Sequence, residues 1–175
     1  MFDRLYRHGR LVGIGLAAAL LNACGGGSAT APDAEPFYLE EEEEWSLVWS
    51  DEFDGSAVDS GNWTFQLGDG SDNGLPGWGN YELQYYRAEN ASIQEVDDTT
   101  ALVIEARQES AGNSAFTSAR MRSVNKFDFQ YGRVEIRAKA APGDGMWSAV
   151  WMMPTDLTYG TWAAGGEIDI MEVVN

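Results

Sequence analysis

The residues of this chain best suited to chemistry lie near its end, in Gly166-Glu167-Ile168-Asp169-Ile170-Met171-Glu172, where three carboxylates sit among apolar neighbours. On a regular strand side chains alternate, so Glu167 and Asp169 share a face and Glu172, five positions beyond Glu167, points to the other. One extra residue, a β-bulge near Ile170-Met171, returns Glu172 to the face of Glu167. Four effective steps of about 3.3 Å then put roughly 13 Å between the glutamate α-carbons. Two long side chains leaning inward on a concave sheet close most of that gap. Carboxyl groups about 5–5.5 Å apart suit double displacement at a glycosidic carbon. An acid between them keeps one glutamate ionised and pushes the other towards carrying a proton. Taken alone, Glu-x-Asp-x-x-Glu is usually a solvated strand face or a loose cation site. Here no Lys or Arg follows Lys139, so the acids lack neutralising neighbours in sequence. Such uncompensated clusters concentrate at functional sites.

The aromatic residues point the same way. Trp147 and Trp151 are four apart around the small Ala149, so a strand presents both on one face. Two indoles along a groove make a stacking floor for pyranose rings; the alternative for either is a place in the core. Trp162 and Trp78 are further candidates, Trp78 in a Gly-rich loop.

Strands must carry these groups. Arg133 to Lys139 alternates charged and apolar residues, the pattern of a half-buried antiparallel strand. Ala101 to Ala106 reads as a shorter, more apolar strand bounded by Asp97-Asp98-Thr99-Thr100. Gly68-Asp69-Gly70, Asp72-Asn73-Gly74 and Pro142-Gly143-Asp144-Gly145 supply turn chemistry. Outside the N-terminal segment no long window has a helical period, and there is no internal repeat, P-loop or dinucleotide fingerprint. The expected class is an all-β sandwich with one face open as a groove.

Composition sets the wider limits. The 175 residues are 44% hydrophobic, which excludes a wholly disordered chain. A net charge of −17 excludes nucleic-acid binding by phosphate neutralisation. A single Cys excludes a disulfide framework and any zinc site made of several thiolates. Residues 1–23 have the layout of an export signal, with Arg4, Arg7 and Arg10 before an apolar run from Leu11 to Leu21 that is too short for a stable span. Cys24 follows Leu21-Asn22-Ala23, which resembles a bacterial lipobox despite the unusual Asn22. Lipidation of Cys24 is preferred over a plain cleavage site, because the flexible tether Gly25-Gly26-Gly27-Ser28 follows at once. Residues 24–44 then read as a linker ending in the solvated run Glu40 to Glu44. An exported bacterial protein, held in the cell envelope by lipid or secreted, is expected.

From Trp49 onward the motifs resemble glycoside hydrolase family 16, in its laminarinase-type branch. The matching pieces are Trp49-Ser50-Asp51-Glu52-Phe53, Trp78 to Tyr86, Thr117-Ser118-Ala119-Arg120, Lys126-Phe127, Tyr131-Gly132-Arg133, Gly145-Met146-Trp147 and Gly166 to Glu172. The resemblance covers nearly all of residues 45–175 and implies a β-jelly-roll of the concanavalin A-like kind with an open sugar cleft. It implies Glu167 as nucleophile, Glu172 as general acid/base and Asp169 as the assisting carboxylate. It places Asn80, Glu82, Arg120, Trp147, Trp151 and Trp162 against substrate. No cofactor for catalysis is implied, but a structural calcium is, with Glu52 as a ligand. The bulged six-residue acid motif is the laminarinase form, whereas lichenases usually lack the extra residue. Ser148 and Ala163 stand where Pro is common in relatives.

Sandwiches of this kind run roughly 200–250 residues. The stretch 45–175 is much shorter, so the expectation is a truncated domain in which strands completing both sheets are missing and the fragment itself is inactive. The resulting expectation is a monomeric retaining endo-β-1,3-glucanase acting on laminarin-like polysaccharide. The alternatives are a non-catalytic glucan-binding module of the same fold, a relative acting on mixed-linkage glucan or galactan, and a metal-binding domain using the same carboxylates.

Overall fold

The structure, a computed structural model, describes residues 4–8 and 45–175. Cys24, the acidic run Glu40 to Glu44 and most of the expected leader lie outside the described residues. In chain order the strands are β1 (Arg4–His8), β2 (Trp45–Ser50), β3 (Thr64–Gln66), β4 (Gln84–Tyr86), β5 (Ala91–Val96), β6 (Thr99–Ile104), β7 (Phe116–Ser118), β8 (Arg120–Arg122), β9 (Arg133–Glu135), β10 (Trp147–Met152) and β11 (Ile168–Val174). Among the described residues the helical turns are short 3-10 segments at Ser71–Asn73, Pro76–Gly79 and Ala88–Asn90, and no helix is long and apolar enough to cross a membrane. The strands form a three-stranded sheet, β2-β1-β9, and the pairs β10-β11, β3-β8, β4-β7 and β5-β6. All pairings are antiparallel except β4 with β7.

Two strands differ from their sequence expectations. The alternation over Arg133 to Lys139 continues past β9, which ends at Glu135. Alternation selects a face, but a ladder also needs a neighbour. β9 pairs with β1 only from Arg133 to Glu135, and Ile136 to Lys139 form no strand. In the β5-β6 hairpin, Val96 pairs with Thr99 across Asp97 and Asp98, whose φ angles are 50° and 61°. Aspartate tolerates this left-handed geometry, and the tight turn draws Thr99 and Thr100 into β6 and ends it at Ile104. Arg4–His8, expected as the basic start of a leader, is here the middle strand of the three-stranded sheet.

The core is aromatic. Phe53, Trp63, Trp78 and Ala119 are buried. Trp49 stacks on Phe127 at 5.1 Å and meets Trp63 edge-on at 5.9 Å, while Phe53 stacks on Trp63 at 6.0 Å. The Asp51 carboxylate fastens this cluster. Its Oδ2 accepts from Trp63 Nε1 at 2.7 Å and Asn62 Nδ2 at 3.1 Å, and its Oδ1 accepts from the Phe53 amide at 3.0 Å. The Trp49-Ser50-Asp51-Glu52-Phe53 motif is thus largely a packing device that satisfies the buried indole N–H. Gly70 has a comparable duty in the loop that leads to Trp78. Its φ is 87°, and a β-carbon there would lie 2.1 Å from the Leu75 carbonyl oxygen, so only glycine fits.

Candidate active site

β11 carries the acids and β10 their neighbours. Val150 pairs with Met171 and Trp151 with Asp169, which leaves Ile170 as the extra residue of a bulge. Because of that one residue, Asp169 lies opposite Trp151 and Glu172 opposite Ala149. Trp147, Ala149 and Trp151 share one face of β10, so Asp169 and Glu172 come to the same face of the pair. Glu167 precedes the strand directly, launched by Gly166 at a φ of 86°.

The three carboxylates form one electrostatic unit. Partial desolvation, then the negative charge of Asp169 and a hydrogen bond with it, raise Glu167 above the ordinary glutamate range; Glu172 adds to the effect and the Trp162 side chain opposes it. Across the pair, Trp147 Nε1 donates to Glu172 Oε1 at 2.9 Å.

The tryptophans have separate duties. Trp147 is 48% exposed and Trp162 is 68% exposed, so both present ring surface to solvent. Trp78 is only 6% exposed and cannot be a sugar platform. Its indole N–H donates to the Gly68 carbonyl at 3.1 Å, which lets a polar aromatic close the floor of a glycine-rich loop. Trp151 is half-buried, and its ring face carries the Arg120 guanidinium at 4.9 Å. The expected two-indole floor therefore has one open ring, Trp147, and one occupied by a cation.

Arg120 is the centre of a second cluster. Its guanidinium lies 4.6 Å from the Trp78 ring centroid, in addition to the contact with Trp151. Its Nε donates to Gln66 Oε1 at 2.9 Å, and its Nη1 is 3.7 Å from Glu82 Oε1. Glu82 is largely enclosed: Oε2 accepts from Tyr86 Oη at 2.7 Å and Gln84 Nε2 at 2.9 Å, while Asn80 Nδ2 approaches Oε1 at 3.4 Å. Burial and the Glu82 charge push the Tyr86 phenol far up, so it stays protonated and keeps donating. The resemblance put Glu82 against substrate but gave no role to Gln84, Tyr86 or Gln66. The signal for two of these was present, since Glu82, Gln84 and Tyr86 alternate and so share a face. Asn80 is exposed at the end of this network.

Glu52 is exposed, and among the described residues no three Asp, Glu, His or Cys side chains gather where they could hold a cation. Ser148, standing where relatives often have Pro, uses its Oγ to accept from the Ala141 amide at 3.2 Å.

The strand-built site and its acid triplet mark an all-β sandwich of the carbohydrate-processing kind. Residues 81–175 match the family Glycosyl hydrolases family 16. A beta-glucanase of Rhodothermus marinus is 46% identical over 136 residues, which cover 74% of this chain and 44% of the relative. The crystal structure of the laminarinase catalytic domain from Thermotoga maritima superposes with a TM-score of 0.69 at 46% identity, covering 75% of this chain and 52% of that one. A beta-1,3-glucan-binding protein of Penaeus monodon is 55% identical over 56 residues, 32% of this chain and 15% of the relative. The chain belongs to glycosyl hydrolase family 16 and has its jelly-roll fold. It spans about half the length of the glucanase relatives it matches.

Proposed function

We propose that this chain carries the catalytic strand of a retaining endo-β-1,3-glucanase that cuts laminarin-like polysaccharide. The observation that carries this reading is the bulge at Ile170, which brings Asp169 and Glu172 to the face that also bears the open Trp147 ring, with Glu167 interacting with Asp169 just before the strand. In the first step a Glu167 carboxylate oxygen attacks the anomeric carbon. The glycosidic C–O bond breaks towards the leaving oxygen, which takes a proton from Glu172. In the second step Glu172 accepts a proton from water, and the hydroxyl attacks the anomeric carbon and releases Glu167. Asp169 orients Glu167 through the hydrogen bond already described.

The test is stereochemical. Laminari-oligosaccharide hydrolysed by the full-length protein and followed by proton NMR is expected to show β-anomer first, with α appearing only by mutarotation. First-formed α product would overturn the two-step mechanism. A second reading, a glucan-binding module without turnover, is favoured by the likeness to the Penaeus monodon protein over a third of the chain. Laminarin binding with no release of reducing ends would select it. Product analysis on mixed-linkage glucan and on galactan decides linkage preference.

We also propose export with lipidation at Cys24 and action as a monomer. The basic residues, the short apolar run and the lipobox-like Leu21-Asn22-Ala23-Cys24 support the export and the anchor. Processing there would remove β1 from between β2 and β9. Membrane-fraction protein should take up labelled fatty acid, and Cys24→Ser should abolish the label. Unprocessed, unlabelled protein beginning at Met1 would refute the anchor.

A further inference from the structure

Trp147 does more on this face than offer a ring. On β10 it lies opposite Val174 and diagonal to Glu172, and the residue directly across from Glu172 is the small Ala149. That leaves room for the indole edge to lean over and give its Nε1–H to Glu172 Oε1 at 2.9 Å. An indole N–H can only donate, so the oxygen it holds accepts, and the unprotonated oxygen of a carboxyl is the better acceptor. The other oxygen, Oε2, is left to carry a proton. With 48% of the residue exposed, the bond ties down the ring edge and still leaves ring surface for contact.

We propose that Trp147 is a positioning residue for the general acid: its indole N–H reserves Oε1 of Glu172 as an acceptor and thereby directs the transferred proton to Oε2. This rests on the glycosidase reading above. In the glycosylation step the Oε2–H bond breaks and its proton goes to the departing glycosidic oxygen. That oxygen keeps the electron pair of the cleaved C–O bond, and Glu167 forms the new ester bond. Trp151 and Trp162 offer no such contact with Glu172: Trp151 faces Arg120, and Trp162 acts on Glu167.

The discriminating variant is Trp147→Phe in the full-length protein, which keeps an aromatic ring and removes the donor. Two substrates are compared by kcat/KM, which reports glycosylation only. A laminari-oligosaccharide has a poor leaving group and needs the acid, whereas 2,4-dinitrophenyl laminaribioside leaves without a proton. Trp147→Phe should lower kcat/KM about tenfold or more on the oligosaccharide, through kcat rather than KM, and within about threefold on the aryl glycoside. Retained aryl turnover also shows that the variant is folded. Equal losses on both substrates, or no loss on the oligosaccharide, would overturn the assignment. Failure of the wild type to cleave either substrate would instead bring down the glycosidase reading, and this inference with it.

Discussion

Glu167→Gln is expected to lower turnover of laminari-oligosaccharide by about four orders of magnitude or more, because an amide cannot form the glycosyl ester. The wild type should meanwhile lose activity on acidification earlier than an ordinary glutamate would dictate. Attack needs the ionised carboxylate, and desolvation with the Asp169 charge raises Glu167, so the inactive protonated form already accumulates above the usual glutamate range. The effect on folding has a definite sign. A raised folded-state value means that the folded protein binds this proton more tightly than the unfolded chain does. The contribution of Glu167 to stability is thus fullest below its unfolded value and is lost as pH rises through the folded one. The uncharged Gln should therefore leave the neutral-pH unfolding midpoint in place or slightly higher, a small effect because the side chain is exposed. Glu172→Ala gives the complementary result: lost hydrolysis of natural substrate, restored by azide with β-glycosyl azide as product. A Glu167→Gln protein that keeps substantial activity would assign the nucleophile elsewhere, and one that unfolds far below the wild type would give Glu167 a structural role that the exposed side chain does not predict.

Arg120→Met should be the largest stability effect outside the aromatic core, at about 3 kcal/mol. The guanidinium is mostly screened from solvent between the Trp78 and Trp151 rings and faces the enclosed Glu82 carboxylate. Methionine fills much of the volume but leaves Glu82 without its cation and Gln66 without its donor. Adding Glu82→Gln should recover part of the loss, because the second change removes the charge that the first left uncompensated. The measurement is urea unfolding of both single variants and the double variant. A single-variant loss under about 1 kcal/mol, or strictly additive losses, would mean that the cluster is not coupled. Sugar affinity should fall as well, since Trp151 on β10 takes its place partly from Arg120 on β8.

Part of this protein was legible from residue order alone. Alternation is a local property of strands, so the spacing of Glu167, Asp169 and Glu172 already required one inserted residue if all three were to work together. The structure has that residue at Ile170. The absence of Lys and Arg after Lys139 likewise pointed to acids without nearby neutralisation. Glycine-rich runs foretold the turns, and at Gly70 the reason is a carbonyl oxygen where a side chain would be.

What depended on distant partners could be decided only in three dimensions. The run from Arg133 to Lys139 alternates throughout, but the ladder stops at Glu135 with the pairing to β1. Four tryptophans looked alike as sugar platforms. Trp78 became floor because Gly68 offers its carbonyl, and Trp151 became the seat of a cation because β8 delivers Arg120 to it. Glu82 became the anchor of a polar network because Tyr86, Gln84 and Arg120 converge on it. Burial, hydrogen-bond satisfaction and cation–π contact are relations between residues far apart in the chain, whereas facing and turning are set by neighbours in sequence. The acid triplet could be read because its geometry is local to one strand, and the roles of the residues around it could not, because four other strands and a loop supply their partners.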